Sequence, residues 1–144
     1  MIYFDTSALA KKYFINEKGH GEILTILKAN PNKLFSSALT YIEALSAITR
    51  RKHEIRDYDE TIITLKDDWD VFSVWGIDDE ILTSAADLIT LHRLRSADAI
   101  HLATALSIRK HMKEPPLFVC NDAELIQAAK KEGLSVVDPA VEDK

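Results

Sequence analysis

Four acidic residues directly follow a short apolar run or lie near the start of a segment of helical periodicity. Asp5 follows MIYF, Glu43 lies one turn into the segment after LFSSA, Asp98 opens SADAIHLATA, and Asp122 follows LFVCN. Two carboxylates about 4 Å apart repel by roughly 4 kcal/mol at an effective dielectric constant of 20, so a fold that gathers several usually binds a metal ion or holds a proton. Oxygen ligands without paired histidines or cysteines favour a hard cation, Mg²⁺ or Mn²⁺, over zinc.

Each of these carboxylates also has a purely structural interpretation. Thr40 and Glu43 have the spacing of a capping box, in which Glu43 would bond the backbone amide of Thr40. Asp98 could complement a helix dipole behind Ser96 as the N-cap. The other two aspartates stand at positions typical of N-caps. Spacing alone leaves both interpretations open, because it does not say whether the four residues converge.

Other reactive side chains are interpreted as structural. His101 follows Asp98 by three residues on the same predicted helix, and such a histidine usually packs or caps locally. Cys120 is the only cysteine, so no intrachain disulfide can form, and its place in a predicted strand indicates a buried core residue rather than a nucleophile. The sequence has no GxxxxGK[ST] loop and no GxGxxG turn, which leaves nucleoside triphosphate and dinucleotide binding without support.

The elements that must position the acids alternate along the chain. Strands are predicted in MIYF, LFSSA, DVFSVW, LFVC and LSVV. Helices are predicted at about 7–14, 23–30, 40–48, 58–66, 79–91, 99–106 and 122–132. This order predicts an α/β domain with a mostly parallel central sheet flanked by helices on both faces. In such sheets the ligand site lies beyond the carboxyl ends of the strands, where all four acids are expected.

The bulk composition fits one compact domain over residues 1–144, and no membrane partner is expected. The N-terminus shows no basic leader before an apolar core, and no apolar run approaches the roughly 20 residues of a membrane span, so a cytoplasmic protein is expected. A net charge of −5 disfavours a protein that binds nucleic acid through its overall charge alone.

The positive charge is nevertheless clustered in three places. The clusters are Arg50, Arg51, Lys52, His53 and Arg56; His92, Arg93 and Arg95; and Arg109, Lys110, His111 and Lys113. Solvated helix ends are the favoured interpretation of each cluster alone. The alternative is contact with an RNA backbone, for which Arg50, Arg51, Arg93 and Arg95 are the candidates.

Four segments make the whole chain resemble the PIN-domain family, and in particular the VapC toxins of toxin–antitoxin pairs. The segments are IYFDTSALAKKY, SSALTYIEALSAI, RSADAIHLATAL and FVCNDAELIQAA, which run from near the first residue to near the last. The acidic positions of the family fall on Asp5, Glu43, Asp98 and Asp122, the same four residues that the strand ends indicate. The resemblance implies a three-layer PIN-like fold and a Mg²⁺- or Mn²⁺-dependent endoribonuclease.

The resemblance also implies roles for individual residues. Asp5 and Asp98 would be the principal metal ligands, directly or through water. Glu43 and Asp122 would complete the acidic pocket, orienting water or holding a second ion. The hydroxyl of Thr6 or Ser7 would help to position the first aspartate, and Glu124 would be an accessory acid.

One departure from the family pattern and several partners follow from the same resemblance. Cys120 stands where similar proteins often have Ser or Thr, which puts a hydroxyl role at this position in doubt. The implied partners are an RNA substrate cut to a 5′-phosphate product, a second copy in a homodimer, and a VapB-like antitoxin whose tail fills the cleft.

Three other functions remain open on the sequence. The chain could be a non-catalytic PIN module acting as a scaffold, although the presence of all four acids speaks against this. It could be a PIN nuclease of RNA processing, or one that cuts structured DNA, rather than a toxin. A phosphoacceptor or phosphatase with Asp5 as nucleophile is disfavoured, because Asp5-Thr6-Ser7 supplies neither a pair of acids nor a D-x-D motif.

Overall fold

The computed structural model describes residues 1–141, and within them the chain alternates strands and helices. Five strands are described: β1 Ile2–Phe4, β2 Leu34–Ser37, β3 Ser73–Trp75, β4 Leu117–Val119 and β5 Val136–Val137. The same residues form seven α-helices and one 3₁₀ turn: α1 Thr6–Ala10, α2 His20–Ala29, α3 Ala38–Arg50, the turn Lys52–Glu54, α4 Tyr58–Trp69, α5 Asp79–His92, α6 Ser96–Met112 and α7 Ala123–Lys131.

The strands form one sheet in the order β3-β2-β1-β4-β5, and every pairing in it is parallel. Tyr3 of β1 pairs with Phe35 on one side and Phe118 on the other. The chain moves outward from β1 to β3 and then returns to place β4 against the other side of β1. This reversal creates the crevice at which open α/β sheets bind ligands, and it lies between the ends of β1 and β4. The α/β prediction is confirmed.

Helices cover both faces of the sheet. Tyr3 and Phe118 stack with ring centroids 5.3 Å apart and pack with residues of α5, α6 and α7. Ile2, Phe4 and Val119 point to the opposite face and pack with residues of α1 to α4. Strands buried on both faces read as continuous apolar runs, which explains why MIYF and LFVC show no polar alternation.

Several predicted helix boundaries differ from the structure; the helix predicted over 99–106, for example, is α6, Ser96–Met112. Two of the differences have an identifiable polar cause. The helix predicted over 7–14 is α1, which ends at Ala10, because Tyr13 turns into the core and its hydroxyl donates to Asp68 of α4 at 2.6 Å. The helix predicted from Thr40 begins two residues earlier at Ala38, because the hydroxyl of Ser37 accepts the Leu39 amide at 3.1 Å. Both boundaries are set by polar contacts that hydrophobic periodicity does not register.

Gly19 supplies a testable constraint on the entry into α2. Its φ is +97°, and a Cβ there would lie 2.8 Å from the carbonyl oxygen of Pro139. We expect Gly19→Ala to lower the free energy of unfolding by about 1–3 kcal/mol through backbone strain and this contact. Gly21→Ala is the matched control, because a Cβ at Gly21 meets nothing within 4 Å; it should raise stability by roughly 0.5 kcal/mol. Urea unfolding measures both, and equal effects would contradict the prediction.

Candidate active site

Asp5 follows β1 and is the most buried of the four predicted acids, with 2% of its surface exposed. Its Oδ1 accepts the backbone amide of Ala8 at 2.9 Å, so it is also the N-cap of α1. The Ser7 hydroxyl donates to the carboxylate at 2.8–2.9 Å, and the Cys120 thiol lies 3.3 Å from Oδ2. Burial raises the pKa of Asp5, and these donors offset only part of that rise. The N-cap interpretation and the site interpretation therefore both apply to this residue.

The two hydroxyls after Asp5 have different partners. Ser7 bonds Asp5 and also accepts the backbone amide of Asn121 at 3.0 Å, which ties the end of β1 to the end of β4. Thr6 donates instead to Oε1 of Glu43 at 2.6 Å. The hydroxyl that contacts Asp5 is therefore that of Ser7, while Thr6 contacts Glu43.

Glu43 projects from α3 toward this contact and does not form a capping box. Because the helix begins at Ala38, Thr40 lies inside its first turn, and its hydroxyl is 2.6 Å from that of Ser36. The Oε1 atom of Glu43 accepts both Thr6 and Nε2 of His101, the latter at 2.8 Å. Partial burial would raise the pKa of Glu43, but these hydrogen bonds lower it overall.

Asp98 lies in the first turn of α6, and its carboxylate makes no such hydrogen bond within residues 1–141. The structural alternative with Ser96 as the N-cap does not apply, because Ser96 is already helical; Arg95 is the extended N-cap residue and makes no side-chain cap bond. Burial raises the pKa of Asp98 to about 6, with further increases from the charges of Asp122, Asp5 and Glu43. Asp98 thus lies close enough to the other three predicted acids for their charges to raise its pKa.

Asp122 follows β4 and caps α7, since its Oδ1 accepts the Leu125 amide at 2.9 Å. Its own amide lies 3.4 Å from the sulfur of Cys120, so the buried thiol contacts both strand ends of the crevice. Glu124 is exposed in the first turn of α7, and within residues 1–141 no hydrogen bond joins it to the other acids.

The four arginines proposed to contact RNA fall into different environments. Arg50, at the end of α3, lines a shallow cleft of about 380 Å³ together with Glu43. Arg51 is already engaged, with ion pairs to Glu17 at 2.8 Å and Glu54 at 2.7 Å. Arg93 ends α5 in the left-handed conformation and Arg95 precedes α6, and both side chains are exposed. Each remains a prediction as an RNA contact, with Arg51 the one held most firmly by the fold.

The sequence analysis gave no site role to two residues, His101 and Tyr3. His101 is packed, as expected, with 2% exposure, but its ring bonds Glu43 through Nε2 and the Tyr3 hydroxyl through Nδ1. Tyr3 belongs to the apolar run of β1 and offered no polar signal. The available signal was the three-residue spacing of Asp98 and His101, which places both on one face of α6.

The donor set fits a hard divalent cation. The acids supply oxygen ligands only, and the pKa of Asp98 is raised first by burial and then by the charges of Asp122, Asp5 and Glu43. Within residues 1–141 no three acidic, histidine or cysteine side chains already enclose a common point. Mg²⁺ uses few protein carboxylates and keeps most of its water ligands, so a preformed cage is not required. No helix in the described part of the chain is long and apolar enough to cross a membrane.

The chain is similar to known proteins in family and in fold. The PIN domain family model matches residues 2–131. Ribonuclease VapC45 of Mycobacterium tuberculosis strain CDC 1551 is 29% identical over 116 residues, covering 75% of this chain and 76% of that protein.

Two solved structures share the fold over nearly the whole chain. VapC20 of Mycobacterium tuberculosis, described as a sarcin-ricin loop cleaving toxin, aligns with a TM-score of 0.70 and 17% identity over 89% of this chain and 95% of that one. VapBC-1 of nontypeable Haemophilus influenzae aligns with a TM-score of 0.64 and 18% identity over 98% and 100%.

The burial of Asp98 and the negative charges around it predict a gain in stability when its own charge is removed. We expect Asp98→Asn to raise the free energy of unfolding of the metal-free protein near neutral pH by about 1 kcal/mol, less than the full pKa shift implies because solvent screens a half-buried group. Asp59→Asn is the control, because Asp59 is an exposed acid in the first turn of α4 and loses only a helix-dipole contact. Denaturant unfolding in EDTA measures both variants; a loss of stability in Asp98→Asn equal to the control would contradict the prediction.

The gain in the free energy of unfolding that Asp98→Asn produces depends on pH. The pKa of Asp98 is about 6 in the folded chain and about 3.9 in an unfolded one, so folding takes up a proton between these values. Ionised Asp98 therefore destabilises the fold fully above about pH 6, and this effect disappears as the pH falls to about 4. The stability difference between Asp98→Asn and the wild type should narrow over the same interval.

Proposed function

This chain belongs to the PIN-domain family, and we propose that it is a Mg²⁺- or Mn²⁺-dependent endoribonuclease, the toxic member of a VapBC-type toxin–antitoxin pair, with residues 1–144 acting as one PIN domain. The observation that carries the proposal is the gathering of four carboxylates around Asp98, whose pKa rises to about 6. A fold gains nothing in stability from such repulsion, and a cation at that point relieves it. Relatedness to VapC ribonucleases indicates which chemistry the cation serves.

Three of the acids have distinct proposed roles. Asp5 and Asp98 would hold the ion, and Asp5 is fixed for this by Ser7 and the amide of Ala8. A divalent cation bound there would polarise a phosphate oxygen of the RNA and lower the pKa of a water molecule. Glu43, whose lowered pKa keeps it ionised, can accept a hydrogen bond from the attacking water and hold it in line with the phosphorus.

Asp122 has a narrower role because it is fixed by its own helix. Its Oδ1 accepts the Leu125 amide, so Oδ2 is the oxygen that would orient water or hold a second ion. The same capping contact holds the end of β4 against α7, so the carboxylate keeps its place whether or not a cation is bound. Glu124 would act only as an outer, exposed acid.

A toxin requires a partner that restrains it. The similar solved structures include toxin–antitoxin complexes, which supports a VapB-like antitoxin as the partner of this chain. By the same relationship we propose a homodimer. The RNA substrate would place its action in the cytoplasm.

Cleavage of RNA by purified protein tests the proposed function. We expect single-stranded RNA to be cut in Mg²⁺ or Mn²⁺ and to remain intact in EDTA. Asp5→Asn and Asp98→Asn should each lower kcat on the order of 10³-fold, since each removes a ligand on which several kcal/mol of charge stabilisation depend. Asp59→Asn is the surface control and should cut like the wild type.

The outcomes separate the competing functions. Cutting that survives Asp98→Asn would reveal a contaminating nuclease and overturn the assigned site. If no RNA is cut, Mn²⁺ calorimetry decides between a selective enzyme and a scaffold: uptake lost in Asp98→Asn retains the metal site, and no uptake by the wild type favours the non-catalytic module.

The neighbouring arginines of α3 and the following turn predict different defects. Arg50→Gln should raise KM several-fold, because Arg50 is exposed beside Glu43. It should also lower by about one the number of counterions released on RNA binding, which the salt dependence measures. Arg51→Gln should instead lower Tm with little change in KM, because its guanidinium is held by Glu17 and Glu54. Salt titrations of RNA binding and thermal unfolding measure the two effects, and identical profiles would contradict the assignment.

A further inference from the structure

A buried polar chain connects the core of the sheet to one acid of the site. Tyr3, at the centre of β1, has no exposed surface, and its hydroxyl lies 2.8 Å from Nδ1 of His101. On the other side of the ring, Nε2 of His101 lies 2.8 Å from Oε1 of Glu43 and 3.1 Å from the hydroxyl of Thr6. The proposed mechanism uses Glu43 but gives no role to the two buried groups behind it.

The carboxylate partner fixes one hydrogen-bond direction in this chain, and a neutral imidazole then fixes the other. A Glu43 carboxylate can only accept, so Nε2 of His101 must carry a proton at this distance. A tyrosine hydroxyl can donate its proton. A neutral ring protonated on Nε2 has an acceptor at Nδ1, where the hydroxyl of Tyr3 lies 2.8 Å away.

We propose that Tyr3 and His101 are positioning residues for Glu43, with the Tyr3 hydroxyl donating to Nδ1 of His101 and thereby keeping the imidazole proton on Nε2 for the Glu43 carboxylate. The inference rests on the proposed function, since it assigns residues that serve the same site. It explains why a tyrosine rather than a phenylalanine stands in an otherwise apolar strand: the ring packs on Phe118 while the hydroxyl sets the state of the histidine.

The consequence for Glu43 is that only one of its oxygens is free to act. Oε1 accepts both Thr6 and His101, while Oε2 makes no hydrogen bond within residues 1–141. Two donors on one oxygen fix the carboxylate in a single orientation and keep it ionised. Loss of the donor from His101 should therefore reduce the rate of the chemical step more than the affinity for RNA.

The proton position can be read directly from nitrogen NMR of the wild-type protein. Long-range ¹H–¹⁵N spectra of the imidazole groups should show His101 with its proton on Nε2, assigned by loss of the signal in His101→Gln. Glu43→Gln should shift the Nε2 resonance, because the charged acceptor is removed. In Tyr3→Phe the Nδ1 atom loses its donor, and a mixture of the two ring tautomers should appear.

Kinetics test whether this arrangement matters for cleavage. We expect Tyr3→Phe to lower kcat about ten-fold with KM little changed, the effect of one lost hydrogen bond behind the acting carboxylate. Tyr13→Phe is the matched control, because Tyr13 is also buried and its hydroxyl also bonds an acid, Asp68, outside the site; it should keep the wild-type kcat even if its Tm falls. His101→Gln, which retains a donor for Glu43, should be faster than His101→Leu, which does not.

The two readouts keep this inference separate from the proposed function. A wild-type His101 with its proton on Nδ1 would overturn the inference, and so would equal losses of kcat in Tyr3→Phe and Tyr13→Phe. If the wild type cuts no RNA, the proposed function fails while the nitrogen assignment and its response to Glu43→Gln still decide the hydrogen-bond chain. The inference is supported if the wild-type His101 carries its proton on Nε2 and part of the Tyr3→Phe protein carries it on Nδ1 instead.

Discussion

Burial of carboxylates at one edge of the sheet is the constraint on which the rest of the structure depends. Asp5 is almost fully buried and Asp98 half-buried, and burial disfavours the charged form of each. At Asp5 a backbone amide and the Ser7 hydroxyl donate to the carboxylate and offset part of this cost. Asp98 makes no such hydrogen bond within residues 1–141, and the charges of Asp122, Asp5 and Glu43 raise its pKa further. Within the proposed function, a cation would therefore contribute most at Asp98.

The sheet topology converts this local chemistry into a site. Because the strand order reverses between β1 and β4, Asp5 and Asp122 leave the sheet on adjacent strands and each caps the helix that follows. Capping uses only one oxygen of each carboxylate, so it does not by itself exclude ion binding; Oδ2 of Asp5 also accepts the Ser7 hydroxyl. Glu43 approaches the same edge from α3 and Asp98 from α6, so the candidate site combines residues that are distant in sequence.

The environments of Glu43 and Asp98 push their pKa values in opposite directions. Glu43 receives donors from Thr6 and His101 and stays ionised to lower pH, whereas Asp98 is raised to about 6 by burial and by its acidic neighbours. Pairs of carboxylates separated in this way commonly take different roles in one reaction. Here the difference assigns water orientation to the first and cation binding to the second, within the proposed function.

The sequence by itself determined the α/β alternation, the mostly parallel sheet and the placing of four acids after strands or near helix starts, because hydrophobic periodicity and position along an element are local properties. Tertiary structure alone decided the rest. Glu43 accepts a hydrogen bond from His101, 58 residues away, instead of forming a capping box, and Tyr3 gained a polar role from the same ring 98 residues along. Arg51 likewise differs from its neighbour Arg50 through ion pairs with Glu17 and Glu54, and the first of these is distant in sequence. Such contacts depend on how the helices pack on the sheet, and spacing along the chain does not encode that packing.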